Sequence, residues 1–107
     1  MAIDRALMKG MDDLDGNAMK EAINSGAKIN SFDEEGDTPL HIMVDNSIDG
    51  TIQAGGKPGD EPLEFIEILL KAGADIHLQN KKGASALDWA KDYKAEKIVT
   101  YLTKFNS

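Results

Sequence analysis

Apolar residues recur every three or four positions along most of this chain, which is the spacing of amphipathic helices. The segments LEFIEILL and KIVTYL show the pattern most plainly. It predicts six helices, near residues 2–12, 16–25, 39–46, 61–72, 85–92 and 95–105. The inward positions of these helices supply the predicted core: Leu40, Val44, Ile66, Leu69, Leu70, Leu87, Ala90, Ile98 and Leu102.

Two stretches of the chain are alike, INSGAKINSFDEEGDTPLHIMV and LKAGADIHLQNKKGASALDWA. Each reads as a helix end, a Gly-Ala pair, a β-like pair, a polar turn with glycine and a new helix. Gly26 and Gly73 are placed to close helices in the left-handed conformation. Thr38 and Pro39 open a helix as an N-cap hydroxyl and a proline at the first helical position, and Ser85 repeats the cap. The sequence therefore predicts an internal repeat of helical units.

The motifs inside these stretches carry a family resemblance. TPLHIMV at 38–44 is close to the signature T-P-L-H-x-A, and FIEILLKAGADIH at 65–77 reads as the second helix and turn that follow it. Weaker matches are SALDWA at 85–90 and AINSGAKIN at 22–30. The chain thus resembles the ankyrin repeat family. The resemblance implies an all-α repeat solenoid, a stack of helix–turn–helix units with short β-hairpin fingers.

The register of the repeat predicts three units in a single domain, 1–107. Ankyrin units are 33 residues long, and 33 residues before Thr38 is Arg5, so the N-terminal region fits a degenerate first unit. Thr38 to Ser85 is 47 residues, 14 more than one unit. The middle unit therefore carries an insertion between its two helices. The predicted units are about 1–37, 38–84 and 85–107, with the insertion at about 46–60.

The insertion contains the glycine-rich stretch GTIQAGGKPGDEP, which suggests a phosphate-binding loop. That motif requires Gly, four residues, then Gly-Lys-Ser/Thr. Thr51 stands where the first glycine is needed, and Pro58 follows Lys57 and supplies neither an N–H nor a hydroxyl. The residues before the loop also read as helix, where the motif needs a strand. A plain loop at one edge of the stack is favoured, with Ile48 and Ile52 either tucked against the helices or contacting a partner.

Charge is unevenly distributed along the chain. The net charge is −7, with −10 in residues 1–67 and +3 in residues 68–107. The acidic part disfavours nucleic acid and acidic membranes and favours a basic protein partner, although such charge also serves solubility. The chain has no cysteine, which excludes disulfides and thiolate zinc sites. No signal peptide or membrane span is recognisable, so a cytoplasmic protein is expected.

Candidate chemistry is sparse. His41 lies in the T-P-L-H motif, whose histidine bonds to the turn backbone in the ankyrin family, and no nucleophile is placed beside it. The run DEEGD lacks the alternating spacing of a calcium loop. His77 with Asp75 is too little for a metal site. We therefore expect no catalytic residue, no metal and no cofactor.

The resemblance implies a binding surface made of finger tips and exposed residues of each unit's first helix. Seven carboxylates and two lysines fall there, with an apolar group beside them that includes Trp89, for which a core position is an equal alternative. The candidate partner-binding residues are Asp12, Asp13, Glu34, Glu35, Asp37, Ile42, Asp45, Asn46, Lys81, Lys82, Trp89, Asp92 and Tyr93.

Three functions remain open from the sequence. The first is a non-catalytic protein-binding module whose acidic concave face takes a basic protein or peptide, with an inhibitor or immunity-type protein as one form of this function. The second is a scaffold or oligomerising subunit, although a monomer is favoured. The third, which the motif test disfavours, is a nucleotide-dependent enzyme that uses the glycine-rich loop.

Overall fold

The computed structural model describes residues 3–57 and 62–105, and six helices run through this part of the chain. They are α1 (Arg5–Asp12), α2 (Gly16–Asn24), α3 (Pro39–Gln53), α4 (Glu64–Lys71), α5 (Ala86–Asp92) and α6 (Glu96–Phe105). Helix α1 packs on α2, α3 on α4, and α5 on α6. The pairs stack because α3 contacts both α1 and α5, while α2 packs beside α4. The predicted all-α repeat stack is confirmed.

Polar caps begin the helices close to the predicted positions. Thr38 caps α3 ahead of Pro39, and Ser85 caps α5, as the sequence predicts. The Asp4 carboxylate accepts the Ala6 N–H at 2.9 Å, so α1 begins at Arg5, later than predicted. Helix α4 begins at Glu64 rather than near 61, and residues 58–61 lie outside the described part of the chain.

Helix α3 is longer than predicted: it continues to Gln53, where the sequence predicts an end near residue 46. The physical reason is Ile48, which lies one turn beyond Val44 and is only 1% exposed. Burial of an isoleucine contributes about 2 kcal/mol, which outweighs the roughly 1 kcal/mol that Gly50 costs inside a helix. The first half of the insertion is therefore helix rather than loop. Ile48 is tucked into the core as favoured, whereas Ile52 is 48% exposed.

The glycines of the insertion end this helix. Gly55 has a φ of +89°, its N–H donates to the Ile52 carbonyl at 3.0 Å, and the Gly56 N–H donates to the Thr51 carbonyl at 2.8 Å. These two bonds form the Schellman motif that terminates helices with a left-handed glycine. The residues before Lys57 thus form a helix C-terminus, whereas a phosphate-binding loop follows a strand. The predicted helix ended near residue 46, so this C-terminus lies inside the predicted insertion. Pro58 lies outside the described residues.

The predicted fingers are tight turns, and residues 3–57 and 62–105 contain no β-strand. In the first turn the Asp33 carboxylate accepts the N–H groups of Glu35 and Asp37, each at 2.9 Å. In the second the Asn80 amide oxygen accepts those of Lys82 and Ala84, each at 3.0 Å. Asp33 and Asn80 are 47 residues apart, so the same turn recurs at the spacing predicted from the sequence.

Left-handed backbone recurs at matching spacings. Gly26 and Gly73 have φ values of +104° and +101°, and they too are 47 residues apart. Leu14 and Lys94, which follow α1 and α5, have φ values of +52° and +58° although neither is glycine. Their separation of 80 residues is the sum of the 33- and 47-residue steps. The unit boundaries themselves stay a prediction.

The core lies between the stacked helices and follows the predicted positions closely. All predicted core residues are buried except Leu87, which is half-buried and packed against the others. Methionines at 11, 19 and 43 fill further core positions. Fully buried His41 is the large polar side chain among them.

Candidate functional site

The finger face is the name used here for the surface formed by the two turns and the outward sides of α3 and α5. Its exposed residues are Glu34, Glu35, Lys81, Lys82, Asp92 and Tyr93, and its half-buried residues are Asp37, Ile42, Asp45, Asn46 and Trp89. Each lies on an element whose position is fixed by buried contacts behind it. The face is therefore presented on a preorganised support, which lowers the entropy lost on binding.

Asp45 and Tyr93 join α3 to the end of α5. The Tyr93 hydroxyl donates to an Asp45 carboxylate oxygen at 3.5 Å, and the Tyr93 side chain remains 47% exposed. The sequence predicts both as site residues without pairing them. Negative charge on Asp45, together with burial and the charges of Asp49 and Asp92, raises the pKa of Tyr93. A phenol that stays protonated remains a hydrogen-bond donor at neutral pH.

Like charges crowd Asp45. Burial raises the pKa of the Asp45 carboxyl, and the negative charges of Asp49 and Asp37 raise it further, while the bond from Tyr93 opposes them. Asp49 lies one turn beyond Asp45 on the extended part of α3. The carboxylates on this side of α3 therefore repel one another, and a cation placed among them would relieve that repulsion.

Removing the charge of Asp45 is expected to stabilise the protein at neutral pH. Because the folded-state pKa lies above the ordinary value of 3.8, the folded chain binds the proton more tightly than the unfolded chain. The ionised carboxylate therefore costs stability above that folded-state pKa, and the cost disappears below the unfolded value. Asp45→Asn should raise the free energy of unfolding by about 0.5 kcal/mol or less at pH 7, since solvent screens this half-exposed group.

This difference in stability should vanish at about pH 3, where the Asp45 carboxyl is protonated in both the folded and the unfolded chain. Urea unfolding at the two pH values measures it. Glu21→Gln is the control, because Glu21 is an exposed carboxylate on α2 and removing its charge should change stability little. An Asp45→Asn variant that is less stable than the parent at pH 7 would contradict the expectation.

The Trp89 side chain lies partly in the core and partly at the surface. Its side chain is half-buried and packed against the core, with its ring edge-on to His41 at 5.2 Å between centroids. Ile42 is likewise half-buried on α3. One part of the Trp89 ring packs inside and another part remains accessible, and contact of that accessible part with a partner stays a prediction. A rigid, partly exposed aromatic is a common interface anchor.

Most charged side chains of the two turns are exposed to solvent, but one of them also forms a structural hydrogen bond. Glu34 and Lys82 have exposed side chains. Glu35 and Lys81 are also exposed, and a bond from the Lys81 N–H to the Glu35 carbonyl at 3.0 Å joins the two turns. Asp37 is different, because its carboxylate accepts the Asn80 amide N–H at 2.9 Å. Its charge therefore holds the second turn in place as well as facing solvent.

Asp12 and Asp13 lie at the end of α1. Both are exposed, and Asp13 forms an ion pair with Lys9 at 3.1 Å. Their place on the finger face stays a prediction from the repeat register, in which Asp12, Asp45 and Asp92 occupy equivalent positions.

Sequence reasoning missed Asp49 because it placed this residue in a loop. The signal was present: Val44, Ile48 and Ile52 are four residues apart, which is the spacing of a continuing helix. Asp33 and Asn80 were also missed as the residues that shape the turns. Within residues 3–57 and 62–105, no group of three or more metal-ligating side chains converges, and no helix is long and apolar enough to cross a membrane.

The fold and the finger face define a class: stacked helix–turn–helix units whose turns and first helices form one surface. The ankyrin repeat profile matches residues 35–81. Notch-regulated ankyrin repeat-containing protein B of Danio rerio is 36% identical over 97 residues, covering 91% of this chain and 75% of that protein. The chain belongs to the ankyrin repeat family, whose repeats are protein–protein interaction modules.

One further relative and two solved structures are also similar to this chain. Notch-regulated ankyrin repeat-containing protein A of Danio rerio is 38% identical over 84 residues, and the chain spans 62% of its length. A crystal structure of an ankyrin repeat protein, 28% identical, superposes with a TM-score of 0.71 over 94% of this chain and 44% of that one. A chain in the complex of a predatory endopeptidase with an immunity protein from Bdellovibrio bacteriovorus shares the fold at 22% identity. Its TM-score is 0.71 over 99% of this chain and 48% of that one.

Proposed function

We propose that this chain is a non-catalytic binding module whose finger face takes a basic segment of another protein. The observation that carries the proposal is the meeting of Asp45 and Tyr93, with Asp49 and Asp92 near enough to act on the Tyr93 hydroxyl. Three carboxylates and an exposed phenol ring on rigid helices suit a lysine or arginine side chain, which can pair with the acids and stack on the ring.

The residues around Asp45 and Tyr93 also suit a basic partner. Glu34 and Glu35 extend the negative charge to the first turn, and Trp89 and Ile42 add apolar area beside it. Acidic groups at the rim would steer a basic partner toward the face, and the aromatic groups would hold it there. Lys81 and Lys82 lie on the second turn, which touches the turn of Glu35, so a basic segment is directed away from the second turn and toward Glu34, Glu35 and the carboxylates of α3.

Within this proposal the chain acts by covering the surface of the partner that it binds, as an inhibitor or immunity-type protein does. A structural neighbour from a complex of an endopeptidase with an immunity protein is a precedent for the fold in such a complex. We further propose that the module works as a cytoplasmic monomer. Self-association as a scaffold is the alternative, and light scattering of the purified chain would decide between them.

The test is affinity capture from native extract with matched charge-reversed baits. Glu35→Lys/Asp92→Lys alters the finger face at two exposed positions and spares Asp37, which is needed for the turn. Glu21→Lys/Glu96→Lys makes the same change in net charge at exposed positions on α2 and α6. A basic partner should be retained by the parent and the control and weakened about tenfold or more by the face variant.

High salt should weaken capture as well, because the Debye length falls to roughly 3 Å at 1 M ionic strength. Partner proteins that bind the face variant as well as the parent would contradict the proposal. So would an equal loss with the control pair, since the effect would then follow net charge rather than this face.

A further inference from the structure

A groove of about 970 Å³ lies between α2 and α4, which are the second helices of the first two helix pairs. Its apolar lining includes Phe65, which is buried, and Ile23 and Ile68, which are half-buried. None of the predicted site residues except Asp13 lines it. The glycine at position 16 lets α2 approach α4 closely here, because a Cβ would lie 3.3 Å from the Ile68 Cδ1.

Leu14 stands at one end of the groove with an unusual combination of properties. Its side chain is 42% exposed, and its backbone has a φ of +52°, a region that leucine rarely adopts. The turn after α5 repeats this backbone at Lys94 with a polar side chain. The turn therefore does not require an apolar residue, and glycine or asparagine would fit its backbone better. Backbone strain beneath an exposed apolar side chain points to a binding role.

Charge along the groove is polarised. Asp13, Asp15 and Glu64 lie at the end where α2 and α4 begin, beside Leu14. Toward the other end Lys71 pairs with Glu67 at 2.8 Å. Asp13 is paired with Lys9 and Asp15 caps α2, and Lys20 also lines the groove. The lining still carries four carboxylates against two lysines, so a cation is favoured at the end next to Leu14, where Asp13, Asp15 and Glu64 lie.

We propose that this groove binds a partner segment that carries a bulky apolar side chain, such as leucine or phenylalanine, next to a lysine or arginine. The apolar side chain packs against Leu14, Phe65 and Ile68, and the neighbouring cation lies among the carboxylates at the start of α2 and α4. The site is separate from the finger face, and it does not depend on the function proposed for that face.

The test is an NMR titration of the ¹⁵N-labelled full chain with a capped hexapeptide that has two central leucines between lysines. Amide shifts are expected at Gly16, Ile23 and Ile68. A peptide with alanines in place of the leucines, and one with glutamates in place of the lysines, should each bind at least about tenfold more weakly.

Matched variants localise the effect. Leu14→Asn keeps a residue that tolerates the left-handed backbone and removes the apolar side chain, so it should fold and weaken peptide binding about tenfold. Lys94→Asn places the same residue in the equivalent turn, and although it removes one positive charge it should change the affinity by less than about twofold, because Lys94 does not line the groove. Thermal melting of both variants checks that they are folded.

The proposal would be overturned by no shifts at millimolar peptide, by shifts confined to Asp45 and Tyr93, by equal binding of the alanine or the glutamate peptide, or by equal binding to Leu14→Asn. Shifts at the groove amides that depend on protein concentration without peptide would also overturn it. They would assign the groove to a second copy of this chain.

Discussion

Replacing His41 with alanine is expected to lower the free energy of unfolding by about 3 kcal/mol. The ring is fully buried and joins the start of α3 to the turn before α5. Its Nδ1 accepts the Thr38 N–H at 3.1 Å, and its Nε2 donates to the Ala84 carbonyl at 2.8 Å. Alanine would leave both backbone groups without these partners and open a cavity beside Trp89. Few substitutions in a domain of this size should cost as much, because total stability is only about 5–15 kcal/mol.

Urea unfolding followed by tryptophan fluorescence measures this loss, since Trp89 is the single tryptophan and lies against the histidine ring. His77→Ala is the matched control, because that side chain is exposed and the bond from its N–H to Asp75 survives the change. It should alter stability by less than about 0.5 kcal/mol. A His41→Ala loss below about 1 kcal/mol would show that the bonds to Thr38 and Ala84 contribute little.

Replacing Gly36 with alanine is expected to cost about 2–4 kcal/mol, which is unusually large for a turn glycine. Two effects add. Its φ of +79° is left-handed, and a Cβ at this position would lie 2.8 Å from the Lys81 backbone nitrogen of the next turn. That nitrogen cannot move away without breaking its bond to the Glu35 carbonyl. The change would therefore loosen the contact between the two turns.

Gly83 provides the control that separates these effects. It is the equivalent glycine 47 residues later, its φ is +81°, and no atom lies within 4 Å of an added Cβ. Gly83→Ala should therefore show the conformational cost alone, about 1 kcal/mol. Denaturant unfolding of the two variants under identical conditions gives the difference. Equal losses would mean that the close approach to Lys81 is not what constrains Gly36.

These two residues bear on binding as well as stability. His41 holds the second turn against α3, and Gly36 lets the first turn touch the second. Glu34, Glu35, Lys81 and Lys82 are presented by those turns. A variant that loosens the turns should therefore reduce affinity for a partner of the finger face even though it removes no charge from that face.

Local sequence signals predicted most of the fold. Thr38, Pro39 and Ser85 mark helix starts by their own side-chain chemistry, and the helical spacing of Ile66, Leu69 and Leu70 identifies a buried face. The repeat spacing then relates distant segments to one another. These signals act within a few residues, so they can be read without knowing what lies nearby in space.

The candidate site was predicted only in part, because its geometry depends on contacts between units. Asp45 and Tyr93 were both chosen from the register, yet their hydrogen bond depends on how α3 packs on α5. Asp49 joined them because α3 continues past its predicted end. Asp37 was assigned to binding, and the structure adds its bond to Asn80, 43 residues away.

By itself, the sequence determined that this chain is a helical repeat, where most of its helices begin, which residues form the core and how charge is divided along it. The spacing of Val44, Ile48 and Ile52 allows a longer α3, but only the tertiary structure decided that the helix continues to Gln53. It alone also decided the half-buried position of Trp89 and the groove beside Leu14. Caps and periodicity are properties of neighbouring residues in the chain. Burial of Ile48 or exposure of Leu14 depends instead on which other helix covers the side chain, and that is settled only when the units stack.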